Sequence, residues 1–201
     1  MKKSRVLSMR GSQSSARSQA GVSLVIVMIF LVILSGLAIT AMQGSTFSAR
    51  IAGNESDRTL AFQAAEAALK DAENDIRSQL SSGAVCPVTS TLCRADPIDK
   101  GNGFDTACPN GRCNPNVGSP IWETSSRWTN ASPANNTAIS DGSVVYGFYT
   151  GAAALPVVAQ RPRYLIEYFP KYEATVYRVT ALGYGANATT RVMLQTSVKA
   201  K

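Results

Sequence analysis

"SQAGVSLVIVMIFLVILSGLAIT", residues Ser18–Thr40, sets a glycine between a basic, serine-rich head and an apolar run. From Val22 to Met42 the chain is uncharged and consists mostly of Leu, Ile, Val, Met and Ala. At 1.5 Å per residue, about 20 such residues cross a hydrocarbon core of about 30 Å. Residues 22–42 therefore predict a membrane-spanning helix. Lys2, Lys3, Arg5, Arg10 and Arg17 all precede it, which orients the head toward the cytoplasm and everything after Met42 toward the outside.

A removable secretory signal has an apolar region of about 7 to 15 residues followed by a small-residue cleavage site. The run here is longer, and helix-favouring sequence follows it. Residue chemistry leaves two readings: an uncut anchor, or a segment cut at Gly21–Val22 with the apolar run retained.

The formal charge of +7 suggests an anionic partner until it is divided along the chain. Five of the 20 basic residues lie in the first 21 positions with no acid among them, so the other fifteen face 13 acidic ones, a net of +2. The basicity belongs to the head, and no nucleic-acid surface is expected. The chain has no histidine, which removes histidine-based general-base, triad and zinc-hydrolase chemistry. It also has no phosphate-cradling glycine loop and no G-x-S-x-G elbow. No catalytic, cofactor-binding or metal residue is expected, and an enzyme is not.

No proline occurs before Pro87, and "TLAFQAAEAALKDAENDIRSQL" (Thr59–Leu80) is rich in strong helix formers. Phe62, Ala65, Leu69, Ala72, Ile76 and Leu80 recur at steps of three and four, an apolar stripe flanked by the i,i+4 pairs Glu66–Lys70 and Glu73–Arg77. A helix over residues 22–82 would be about 90 Å long, so its first half must meet lipid or other subunits. Gly36, Thr40, Gly44 and Ser48 share one face where small residues permit close helix contact. Membrane helices are also generally rich in such residues.

The basic leader ending at Gly21 and the apolar Val22-Ser23-Leu24-Val25-Ile26 resemble the class III signal of type IV prepilins. "ARIAGNESDR", "LAFQAAEAALKDAE" and the C-terminal "YRVTALGYGANATTRVMLQTSV" resemble PilX-type minor pilins of bacterial type IV pili. The resemblance covers both ends and leaves residues 83–143, which hold the cysteines, as the variable part. It implies that residues 1–21 are a leader removed by prepilin peptidase between Gly21 and Val22, and that the amine of Val22 is then methylated.

Most pilins have a glutamate as the fifth residue after the cut, where this chain has Ile26. A carboxylate in hydrocarbon costs about 2.5–3.5 kcal/mol on insertion, so it needs a partner, which the family account identifies as the N-terminal amine of the preceding subunit. A subunit with nothing above it needs no such carboxylate. Simple tolerance of Ile26 in a minor subunit is the alternative.

Residues 83–201 predict an exported globular domain of about 120 residues, enough for a modest core. Loops predominate after Ser82, and strand-like runs follow at Val144–Thr150, Arg163–Phe169, Ala174–Tyr184 and Arg191–Val198. Leu165, Glu167 and Phe169 alternate with Tyr164, Ile166 and Tyr168, the period of an antiparallel sheet with one buried face. The fold expected is α+β and pilin-like, a long N-terminal helix with a membrane-spanning first half packed on an antiparallel sheet.

Cys86, Cys93, Cys108 and Cys113 lie in the loop-rich segment of an exported chain, where disulfides are expected and four cysteines permit three pairings. Local pairing favours Cys86 with Cys93 and Cys108 with Cys113. A four-thiolate zinc site is the rival, although the spacing differs from paired C-x2-C knuckles. Asp96, Asp99, Asn102 and Asp105 could ligate calcium but lack the alternation of an EF-hand loop, and a solvated turn is the other reading. Trp122, Trp128 and Tyr146, Tyr149, Tyr164, Tyr168 and Tyr172 are core or interface candidates.

The function implied is that of a structural subunit that helps initiate pilus assembly. It would sit at or near the tip with other minor pilins, the major pilin and a tip adhesin. Before assembly it would stand in the inner membrane with its C-terminal domain in the periplasm. The alternatives are a pseudopilin at the tip of a type II secretion pseudopilus and a single-pass periplasmic receptor domain. Lost twitching motility against lost secretion would separate the two filament readings.

Overall fold

A computed structural model describes residues 21–87, 89–99, 101–115, 118–129, 142–171 and 174–199. Positions 1–20 of the expected leader, and Tyr172, lie outside the described residues. The chain divides into two units, residues up to Arg50 and residues from Ile51 onward. Its elements are helix α1 (Val22–Ile76), β1 (Arg112–Cys113), a 3-10 turn (Ile121–Glu123), α2 (Ser126–Thr129), β2 (Val144–Val145), β3 (Arg163–Lys171), β4 (Ala174–Tyr184) and β5 (Arg191–Lys199).

Within the first unit α1 is charge-free from Val22 to Ala49, and an 18-residue window reaches a mean hydropathy of 3.0. Its large side chains all stand outward, from Ile26 at 49% exposed to Met42 at 74%. Two hydroxyls in its apolar run bond back to the helix: Ser35 donates to the Leu31 and Val32 carbonyls, and Thr40 donates to that of Leu37 at 2.9 Å. Such back-bonding removes the cost of a bare polar group in an apolar solvent.

In the second unit α1 lies on the sheet through alanines. Ala61, Ala64, Ala65, Ala68 and Ala72 are each no more than 2% exposed, and Ile76 completes the row. The stripe expected from the sequence is thus rotated: Phe62 is 42% exposed and Leu69 only half-buried. The reason lies in β4. A Cβ at Gly183 would overlap the Ala61 carbonyl oxygen and stand 2.9 Å from Ala65 Cα, so helix and strand backbones touch there and no residue as large as phenylalanine fits between them.

The helix ends at Ile76, short of the expected Ser82. Ser78 adopts φ 52°, its N–H donates to Asp75 O at 3.1 Å, and the Gln79 N–H donates to Asn74 O at 2.8 Å. This is the paired 5→2 and 6→1 bonding of a Schellman stop, with serine at the left-handed position usually held by glycine. Leu80 therefore lies in the following turn, where its N–H donates to Ala84 O at 2.8 Å. Lys70 pairs with Glu73 at 2.8 Å, and Arg77 meets the same carboxylate at 2.6 Å. Glu73 thus takes both cations, and the expected Glu66–Lys70 pair gives way to Lys70–Glu73.

The sheet has the order β1-β3-β4-β5, with β2 also on β3. Antiparallel pairing of β3 with β4 runs from Arg163↔Leu182 to Lys171↔Ala174, and β4 with β5 from Val176↔Lys199 to Tyr184↔Arg191. The α+β class holds, with one addition: β1 pairs β3 in parallel, Arg112↔Ile166 and Cys113↔Glu167. The strand expected over Val144–Thr150 shortens to Val144–Val145, because Gly147 turns at φ 80°.

The expected alternation assigns the faces correctly. Tyr164, Ile166, Tyr177, Val179 and Ala181 form one core with Ala68, Ala72 and Ile76 of the helix. The expectation of one buried face is corrected, however, because Leu165, Leu182 and Tyr184 are buried on the opposite side under Cys108, Cys113, Ile121 and Trp128. The loop-rich middle segment supplies this second cover. Polar composition concealed it: its apolar anchors are isolated residues tied together by a disulfide, with no hydrophobic period to read.

Candidate functional site

Two regions carry the features that bear on function. The first is the start of α1. Val22 is its first residue and is 68% exposed, with Gly21 immediately before it. Ile26 stands outward like its neighbours and brings no charge to the run. A Cβ added at Gly36 or Gly44 meets nothing within 4 Å, so these positions leave the helix surface open to close approach by another helix.

The second region is a polar seam under the helix, which the sequence reading missed. Asp71 and Asp75, one turn apart, are buried at 2% and 4% exposure on the face that carries the alanines. Asp75 receives two parallel bonds from Arg94, Nε to Oδ1 and Nη2 to Oδ2, both 2.7 Å. The Tyr164 hydroxyl donates to Asp75 Oδ2 at 2.8 Å; burial, with Asp75 beside it, raises the pKa of that hydroxyl well above its ordinary value and keeps it a donor. Arg94 also lies 3.9 Å over the Tyr149 ring.

Asp71 serves a different loop. It accepts the Gly147 N–H at 2.7 Å and the Thr150 hydroxyl. Burial pushes its carboxyl from 3.8 up to about 6, opposed by these two hydrogen bonds and aided by the charge of Asp75. One helix face thereby ties down the turn after β2 and, through Arg94, the segment after Cys93. A signal was available in the sequence: two aspartates four apart interrupt an alanine row at positions that otherwise face the core.

The four cysteines stand as two local disulfides. Cys86–Cys93 has a Cα separation of 6.0 Å and Cys108–Cys113 one of 4.2 Å. With every thiol spent, no free cysteine remains. The first bridge sits next to Arg94 in the wall of a cavity of about 290 Å3 that also includes Asp75, Ser78 and Tyr149. The Arg94 charge there is already matched by Asp75, so the arrangement braces the loop and holds no reactive group.

The acidic loop places its oxygens around an arginine. Arg112 Nη1 donates to Asp96 Oδ2 at 3.1 Å and to the Asn102 carbonyl at 3.4 Å, while Asp105 bonds within its own turn to Thr106. Two of the oxygens offered for calcium therefore face a resident cation. Of the aromatics, Tyr164 and Trp128 are buried, and Tyr168 packs on the helix-side core. Trp122 is partly buried and carries the Arg178 guanidinium 4.2 Å from its ring; Arg178 pairs with buried Glu167 across β3 and β4 at 2.8 and 2.9 Å.

A charge-free apolar half-helix, compatible with a membrane anchor, and a cysteine-strapped α+β unit define the class: a pilin-like protein. Residues 20–70 match the family description PilX N-terminal, and residues 101–200 match type IV pilus assembly protein PilX C-term. The chain belongs to the PilX family, the minor pilins of type IV pilus assembly. No curated protein and no solved structure matches it.

Proposed function

We propose that this chain is a non-enzymatic minor pilin that helps start a type IV pilus and sits at or next to its tip. Prepilin peptidase cuts between Gly21 and Val22 and methylates the Val22 amine. Until assembly the protein stands in the inner membrane with residues after Met42 in the periplasm. On assembly Val22–Phe47 leaves lipid and beds among the helices of other minor pilins and the major pilin, and the exported unit meets a tip adhesin.

The observation that carries this reading is the first half of α1, which exposes its large apolar side chains, bonds the Ser35 and Thr40 hydroxyls back to its own carbonyls and has Ile26 where a carboxylate would call for an amine partner above. A shaft subunit gains from that carboxylate in each repeat. A terminal one does not.

Deletion of the chain should abolish surface pili and twitching, and quantitative mass spectrometry of sheared pili should find it at a small fraction of the major pilin. Near-equal amounts would contradict the tip position. Intact pili with lost protein secretion would favour a secretion pseudopilin.

A further inference from the structure

A sheet edge presents unpaired N–H and C=O groups that proteins cover, shorten or blunt with charge, proline or bulges. The two sides of this sheet are treated differently. The outer edge of β3 is covered, β1 pairing Ile166 and Glu167 and β2 pairing Arg163 and Tyr164. Among the described residues, β5 pairs only with β4.

The ladder tells which β5 groups are free. The Gly185 N–H donates to Thr190 O at 3.0 Å, which makes 185–190 a hydrogen-bonded pair. Antiparallel alternation then makes 183–192, 181–194, 179–196 and 177–198 bonded pairs as well. Arg191, Met193, Gln195, Ser197 and Lys199 therefore aim their backbone groups away from β4. Between its ends the strand has none of these guards. It runs nine residues in unbroken register without proline, and its only charges are at the two ends.

The surroundings specify a sign. The grooves between α1 and β5 are lined by Arg58, Lys70, Arg77, Arg191 and Lys199 against a single acid, Glu73, already shared by Lys70 and Arg77. A second copy of the chain suits this edge poorly, because two-fold pairing about Gln195 sets Arg191 against Lys199 twice, and like charges opposite one another destabilise a strand pair.

We propose that the β5 edge accepts a strand from a partner protein, an extended segment with carboxylates near both ends. At 3.4 Å per residue the two terminal cations are about 27 Å apart, which sets the spacing of those carboxylates. Backbone bonds supply the affinity and the end charges the register. The inference stands whether or not the chain caps a filament.

The test uses the full-length protein in detergent micelles, with amide exchange followed residue by residue. One probe is the nine-residue peptide Glu-Thr-Val-Thr-Val-Thr-Val-Thr-Glu, and the other has lysine at both ends. The Glu-ended peptide should slow exchange at Met193, Gln195 and Ser197 by roughly tenfold or more and leave Val192, Leu194 and Val198 unchanged. The double variant Arg191→Glu, Lys199→Glu should reverse the preference to the Lys-ended peptide. Ser197→Pro removes one outward N–H and no β4 bond, and should weaken binding by about tenfold. Absence of protection in the wild-type protein, equal protection by both peptides, or protection that grows with protein concentration alone, marking a second copy, would each overturn the proposal.

Discussion

The two halves of α1 are built on opposite rules. From Val22 to Phe47 the large side chains stand outward around glycine, serine and threonine, while from Ala61 to Ala72 the smallest side chains lie inward against backbone. The first half leaves its apolar surface exposed along its own length, a surface suited to lipid or to other apolar helices. The second half gives up bulk to gain proximity, and places two carboxylates where a coiled-coil helix would place leucines. Substitutions in the second half should therefore disturb the stability of the α+β unit. Equivalent ones in the first half should not.

The largest expected effect is at Asp75. Asp75→Ala leaves the 5%-exposed Arg94 side chain without its counter-ion and should cost about 4 kcal/mol, as removal of one partner from a buried ion pair typically does. Denaturant unfolding of the full-length protein in micelles, followed by tryptophan fluorescence, measures it; a cost below about 1 kcal/mol would mean water reaches the pair. Next comes Gly183→Ala, whose methyl would meet helix backbone and should cost about 3 kcal/mol. Gly36→Ala, in open space, should leave the same unfolding transition unmoved. A similar loss at both glycines would break the contrast between the halves.

Asp71 gives a dependence on pH. Its carboxyl is raised from 3.8 to about 6 in the folded state, so the stability it contributes is full below the lower value and is lost as pH rises through the upper one. The loss should approach roughly 2–3 kcal/mol. Subtracting the unfolding curve of Asp71→Asn from that of the wild type across this window isolates it, and a flat difference would refute the assignment. The smallest effect is a gain. Ser78→Gly relieves the left-handed φ of 52° and should stabilise by roughly 0.5–1 kcal/mol.

The repeating parts of this architecture were legible in the sequence. The apolar run after Gly21, the alternation in β3 and β4 and the local cysteine spacing each follow a period or a short distance, and each led to its structural counterpart. What escaped depended on tertiary contact. The phase of the helix stripe was set by Gly183, some 120 residues downstream of Phe62, and no local pattern around Phe62 could report it. The helix stop used serine in a role that glycine signals far more clearly. The second cover of the sheet consists of Cys108, Cys113, Ile121 and Trp128, isolated residues whose burial becomes apparent only when the sheet is in place beneath them. The Asp75–Arg94 pair spans a turn and a disulfide, and its members look like ordinary surface charges when read in order.

The central claim is that the apolar half of α1 is trimmed at Gly21 and retained. Intact mass of the protein extracted from membranes tests it directly. The account predicts a polypeptide that begins at N-methylated Val22, lighter than the full chain by residues 1–21 and by the four hydrogens of the two disulfides, and heavier by the one CH2 that the methyl group adds. A product that still carries Met1 or Lys2, or one that begins beyond Met42, would contradict it.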